Sequence, residues 1–120
     1  MPHIRLECSA NVAQEDQLAP LFASLVDILA GFDTITPSAI KAYGAVRYAW
    51  AMGEGARPGF IHCEIALLTG RNAALRTEIG AAIADYLERH FASEIASGKA
   101  GVTVEVREMD ALTYQKRPAG

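Results

Sequence analysis

Position 2 of the chain is proline. A small residue there favours removal of the initiator methionine, and the chain then starts with a free secondary amine. An α-amino group titrates at roughly 7.7–8.0 in water. Burial or a neighbouring cation lowers that value toward neutrality. A base poised near the working pH is what general acid–base catalysis requires. The pyrrolidine ring also fixes the direction of the nitrogen, because it locks φ. Pro2 is therefore a candidate proton-shuttling group. A Met-Pro start alone also fits a solvated terminus, so the question passes to whatever element holds the amine.

Residues 3–8 (HIRLEC) alternate, with Ile4, Leu6 and Cys8 on one face and His3, Arg5 and Glu7 on the other. That pattern predicts a strand starting beside Pro2. Asn11 to Gln14 reads as a capping box. Leu18, Leu21, Phe22, Leu25, Ile28 and Leu29 then recur at helical spacing, and Gly31 is a natural stop. Pro20 lies inside this pattern and predicts a bend or a lost hydrogen bond. After a connection over 32–39, the segment from about Ile40 to Met52 predicts a second strand, bulged near Gly44. Residues 53–59 (GEGARPG) form a loop, and residues 60–68 alternate as a third strand. Residues 69–72 lead into a helix. Leu75, Ile79, Ile83, Leu87, Phe91 and Ile95 extend it as one long stripe. Val102, Val104 and Val106 mark a fourth strand, and the tail after Met109 reads as irregular.

The order β-α-β-β-α-β predicts an α+β fold. Two right-handed crossovers give a four-stranded sheet with both helices on one face. At 120 residues the chain is expected to be one domain. Nothing in so short a chain remains to cover the other face of the sheet, and other copies of the subunit are the expected cover.

Composition removes several classes of function. Apolar residues make up 51% and charged residues 21% of the chain, which excludes intrinsic disorder. A net charge of −3 with no basic run argues against nucleic acid as a partner. No apolar stretch is long enough for a membrane span. Charged residues interrupt the N-terminus at once, so no signal peptide is read and a cytoplasmic protein is expected. His3, His62 and His90 are scattered and Cys8 and Cys63 lie on apolar faces, so no metal site is expected. The two cysteines read as core thiols. Arg5 and Arg47 read as surface or interface charges. Glu7 reads as a partner for a neighbouring strand or subunit ahead of a holder of the catalytic base. His62 reads as a hydrogen-bonded packing residue ahead of a catalyst, and Tyr48 and Trp50 as aromatics of an interface ahead of a pocket.

Three segments carry a resemblance: PHIRLECS at 2–9, WAMGEG at 50–55 and FIHCEIALLTGR at 60–71. With the order of elements between them, the chain resembles the 5-carboxymethyl-2-hydroxymuconate Δ-isomerase family of the tautomerase superfamily. The resemblance implies a homotrimer and no cofactor. It implies an N-terminal proline that moves a proton in an unsaturated 2-hydroxy or 2-keto dicarboxylate, in the breakdown of homoprotocatechuate. Two positions match family arginines that grip substrate carboxylates. Arg71 is one, at the start of the second helix, where N–H groups and a guanidinium together favour an anion. The other is Lys41, a departure, since lysine offers a point charge without the planar fork. Lys41 at a strand start also fits a solvated residue.

Two other readings stay open. The substrate could be another enol, acted on by a promiscuous tautomerase or a related dehalogenase or hydratase. Alternatively, the chain could be a non-catalytic trimeric binding protein that kept the fold.

Overall fold

The computed structural model describes residues 1–120. Its elements are β1 (His3–Ser9), α1 (Leu18–Ala30), β2 (Lys41–Arg47), β3 (Gly59–Leu68), α2 (Ala73–His90), α3 (Ala92–Ala96) and β4 (Ala100–Met109). The sheet order is β2-β1-β3-β4. β1 pairs in parallel with β2 and antiparallel with β3, and β3 pairs in parallel with β4. α1 packs on β2, α2 packs on β4, and the two helices touch, so both lie on one face. The α+β sheet with its two crossovers is as the sequence predicts.

Period-two alternation sets what each face buries. Ile4, Leu6 and Cys8 of β1 are fully buried, flanked in register by Val46 of β2 and by Ile61, Cys63 and Ile65 of β3. Leu21, Leu25 and Leu29 of α1 and Ile79, Ile83 and Leu87 of α2 close over them in one continuous core. Burial raises the thiol pKa of Cys8. Burial, with the charge of Glu64, pushes that of Cys63 up to about 12. Both cysteines are therefore inert packing groups.

Several boundaries differ from the sequence reading, each for a local reason. The capping box lies at Gln14, whose N–H donates to Gln17 Oε1 at 2.7 Å and which caps a single 3-10 turn, Glu15–Gln17, leading into α1, while Asn11 lies in the preceding turn. Pro20 occupies the first turn of α1, where its missing N–H has no intrahelical partner to lose, so no hydrogen bond is sacrificed. β2 ends at Arg47 because its one partner, β1, turns away after Ser9. Tyr48 to Met52 therefore lie exposed with no strand to pair with. Gly44 makes no bulge, and the β1–β2 register runs unbroken through it. Glycine is needed there for closeness, since a Cβ would fall 1.9 Å from the Leu6 carbonyl oxygen.

The long helical stripe divides at Phe91. A spacing of four advances about 40° per step, so six such positions cannot share one face of a straight helix. The chain leaves helical geometry at Phe91, with φ −101° and ψ 28°, which buries Phe91 and leaves Ile95 exposed on α3. β4 is longer than its valine pattern, because β3 offers a continuous parallel partner from Gly59 to Leu68.

Candidate active site

The topology gathers one end of the sheet. β1 and β2 start there, and β3 and β4 finish there. The loop from α1 to β2, the turn from β3 to α2 and the tail after β4 therefore meet around the N-terminus. Pro2 is fully buried, and its carbonyl accepts from the Lys41 N–H at 3.1 Å. The Met1 amine donates to the Ala39 carbonyl at 2.8 Å. The start of the chain is thus held on both sides.

Lys41 is exposed at the start of β2, opposite His3 in register. Arg71 is half-buried just after β3. Its Nε donates to Thr34 Oγ1 at 3.2 Å, Nη1 to the Leu68 carbonyl at 3.3 Å and Nη2 to the Thr34 carbonyl at 2.9 Å. A guanidinium has five N–H donors, so one remains on each terminal nitrogen. That is the pair a carboxylate takes bidentately. α2 begins directly behind, with Asn72 Oδ1 accepting from the Leu75 N–H at 2.8 Å.

The electrostatics of this end are one-sided. The amine at Met1 is held below its ordinary pKa, first by burial and then by the charges of Lys41, Lys116 and Arg71. His3 is lowered by burial, by Lys41 and by the N-terminus. None of Lys41, Arg71 or Lys116 makes an ion pair. The sequence candidates Pro2, Lys41 and Arg71 are therefore brought to one place. Lys116 is added to them from a tail that reads as irregular, as is Tyr114, whose hydroxyl lies 3.2 Å from His3 Nε2. The one sequence signal for this was the turn chemistry of Asp110, whose Oδ1 accepts from the Leu112 N–H at 2.9 Å. No group of three His, Cys, Asp or Glu side chains converges as a metal site would require.

The chain matches the family described as 5-carboxymethyl-2-hydroxymuconate isomerase over residues 2–119. It belongs to that family. Its enzyme class is accordingly isomerase. It is 26% identical over 110 residues to the 5-carboxymethyl-2-hydroxymuconate Delta-isomerase of Escherichia coli, covering 91% of this chain and 87% of the relative. Among solved structures, a 5-carboxymethyl-2-hydroxymuconate isomerase from Deinococcus radiodurans R1 superposes with a TM-score of 0.87 at 25% identity. That match covers 98% of this chain and 90% of the other. The fold is also shared, at a TM-score of 0.68 and 15% identity, with N1, a member of the cis-3-chloroacrylic acid dehalogenase family. It covers 95% of this chain and 79% of that one. No helix of this isomerase is long and apolar enough to cross a membrane.

The other sequence assignments fall on the open face of the sheet, in its core or, for Tyr48 and Trp50, in the exposed segment after β2. Glu7 pairs with Arg47 on the neighbouring strand and with Arg5. His62 Nδ1 lies 2.7 Å from Thr103 Oγ1, as a hydrogen-bonded packing residue would. Trp50 donates from Nε1 to the Pro58 carbonyl at 3.1 Å.

Proposed function

We propose that this isomerase moves a proton in an unsaturated 2-hydroxy or 2-keto dicarboxylate of the 5-carboxymethyl-2-hydroxymuconate type, with Pro2 as the acid/base group once Met1 is removed. The observation that carries the reading is the position of the chain's first amine. That amine, carried by Met1 directly before Pro2, is lowered first by burial and then by Lys41, Lys116 and Arg71, all without carboxylate partners. Burial and cations that disfavour a protonated amine at this place leave the Pro2 nitrogen, once Met1 is gone, free to act as a base near neutral pH.

The neutral Pro2 nitrogen takes the proton from the substrate's 2-hydroxyl, and negative charge spreads over the dienolate. Arg71 grips one carboxylate through its two free N–H groups, and Lys41 faces the developing charge. The prolinium returns its proton to the far carbon, giving the conjugated ketone. One proton leaves and one is added, so no cofactor is called for. The working unit is a homotrimer whose copies cover the open face of the sheet, in the cytoplasmic breakdown of homoprotocatechuate.

Intact mass and a dienol isomerase assay test this together. The fraction lacking Met1 turns over, and the fraction retaining it, whose Pro2 nitrogen is an amide, does not. A Pro2→Ala enzyme with undiminished turnover would falsify the reading. Lys41 in place of arginine favours a second reading within the same chemistry, a tautomerase for a different enol. A substrate panel in which phenylpyruvate enol outruns the dicarboxylate would decide for it. A chain lacking Met1 that turns over no enol but binds carboxylates would be a binding protein on this fold.

A further inference from the structure

The tail beyond β4 returns to the site in a defined way. The Asp110 carbonyl accepts from the N–H groups of Thr113 at 3.2 Å and Tyr114 at 3.1 Å, and Thr69 Oγ1 accepts from the Ala111 N–H at 3.3 Å. This turn is fastened to the end of β3 and sends the chain back toward β1. There the Tyr114 hydroxyl meets His3 Nε2 at 3.2 Å, with the two rings edge to face at 6.4 Å between centroids. Lys116 follows two residues later, a span of at most about 7 Å, and its charge reaches the amine at the chain's start.

The charges can be counted against the reaction. A dienol dicarboxylate losing its hydroxyl proton carries three negative centres, two carboxylates and the dienolate. Apart from the prolinium, which hands its proton back to the substrate, the site presents three cations. Arg71 has donors left for one carboxylate, and Lys41 stands at the start of β2 beside the held Pro2. The third cation has one anionic centre left to match. A monocarboxylate enol would leave it idle.

We propose that Lys116 is a specificity-determining residue that binds the second carboxylate of a dicarboxylate substrate, and that Tyr114 on His3 is the positioning contact that holds the tail in place for it. The inference rests on the reading of this site given above and deepens it, since it assigns the preference for a diacid to the C-terminal tail.

The test is calorimetric binding of adipate and hexanoate, six-carbon acids that differ in one carboxylate. The wild-type chain binds adipate more tightly. In K116Q the ratio of the two affinities falls about tenfold, the scale of one charged hydrogen bond. K116R restores it. In Y114F, which keeps the ring and loses the hydroxyl, the ratio falls about threefold. An unchanged ratio in K116Q overturns the proposal, and so does a wild-type chain that prefers neither acid. Because this readout needs no turnover, it is separate from the Pro2 reading. A P2A enzyme with full activity removes the proton-transfer mechanism while the affinity ratio still reports on Lys116.

Discussion

Arg5, Arg47 and Arg107 are spread along the open sheet face, from the row of Ser9 to the row of His3, while Lys41, Arg71 and Lys116 gather around the start of β1. The first three are matched across strands. Arg5 pairs with Glu7 and Glu64, Arg47 with Glu7, and Arg107 with Glu64. The second three have no carboxylate. Arg57, Arg89, Lys99 and Arg117 also lack ion pairs. The first three lie toward the other end of the sheet, away from the start of β1, and Arg117 Nη1 donates to Gln115 Oε1 at 3.3 Å and to the Lys116 carbonyl at 3.1 Å. A missing partner is therefore not enough to mark a site. What distinguishes the set at the sheet's end is convergence on a held amine, with one guanidinium anchored from behind by neutral oxygens. Neutral anchors fix direction without cancelling charge, which leaves the charge for an external anion.

The sharpest way to break this comparison is to remove the group the cations surround. Protein retaining Met1, whose Pro2 nitrogen is an amide without basicity, should lose about two to four orders of magnitude in kcat/KM against the processed chain, the usual share of general acid–base catalysis. Processed P2A, which keeps a primary amine at the same place, should lose less. Steady-state kinetics on a 2-hydroxymuconate-type dienol measures it. Next in size is R71A, for which a loss of about a hundredfold in kcat/KM is expected, as when one oxyanion donor is removed. R71K should recover little of it, because an ammonium cannot reproduce the planar fork held by Thr34 and Leu68. An R71K enzyme equal to wild type would mean that charge alone matters there.

Much of this arrangement is legible in the sequence because two periods dominate it. The alternation of residues 3–8 and 60–68 places the strands, and the spacing of Leu21, Leu25 and Leu29 places α1. Pro2, Lys41 and Arg71 each adjoin the end of such an element, so their convergence follows from the strand order. What periodicity does not carry is pairing and turn geometry. The end of β2 depends on where β1 turns away, which lies outside its own residues. The division at Phe91 depends on how far a helix can rotate before a side chain leaves the core. Tyr114 and Lys116 are hidden for a third reason. Their segment has no repeating pattern, and a turn at Asp110 brings it to the site.

The paired set should respond oppositely to the unpaired one. In E64Q, Arg5 and Arg107 lose a shared partner that is largely buried, with 13% of its side chain exposed. Breaking a fully buried pair costs about 3–5 kcal/mol. The two arginines are about half exposed, so water recovers much of that. A loss of about 1–2 kcal/mol is expected, read as a lower urea midpoint at unchanged slope. Isomerase activity should persist below that midpoint. If E64Q instead abolished turnover at full stability, the division between a structural and a site set of cations would fail.

The smallest effect is a displacement of the pH profile, and it reads the field at the site directly. The Met1 amine, one residue before Pro2, is lowered by burial first, then by Lys41, Lys116 and Arg71, and removal of Met1 opens the Pro2 amine beside the same charges. Catalysis by a neutral amine is lost as pH falls through its pKa, which sets the acidic limb of kcat/KM. Removing a cation makes the protonated amine less unfavourable, so its pKa rises and the limb moves to higher pH. K41Q should move it further than K116Q, and both shifts should shrink in high salt, where exposed charges are screened. E64Q removes a negative charge from the paired set, so any residual effect has the opposite sign, toward lower pH. A limb that moved as far in E64Q as in K41Q would place the governing field on the sheet face, and the cations at its end would then be bystanders to the proton transfer.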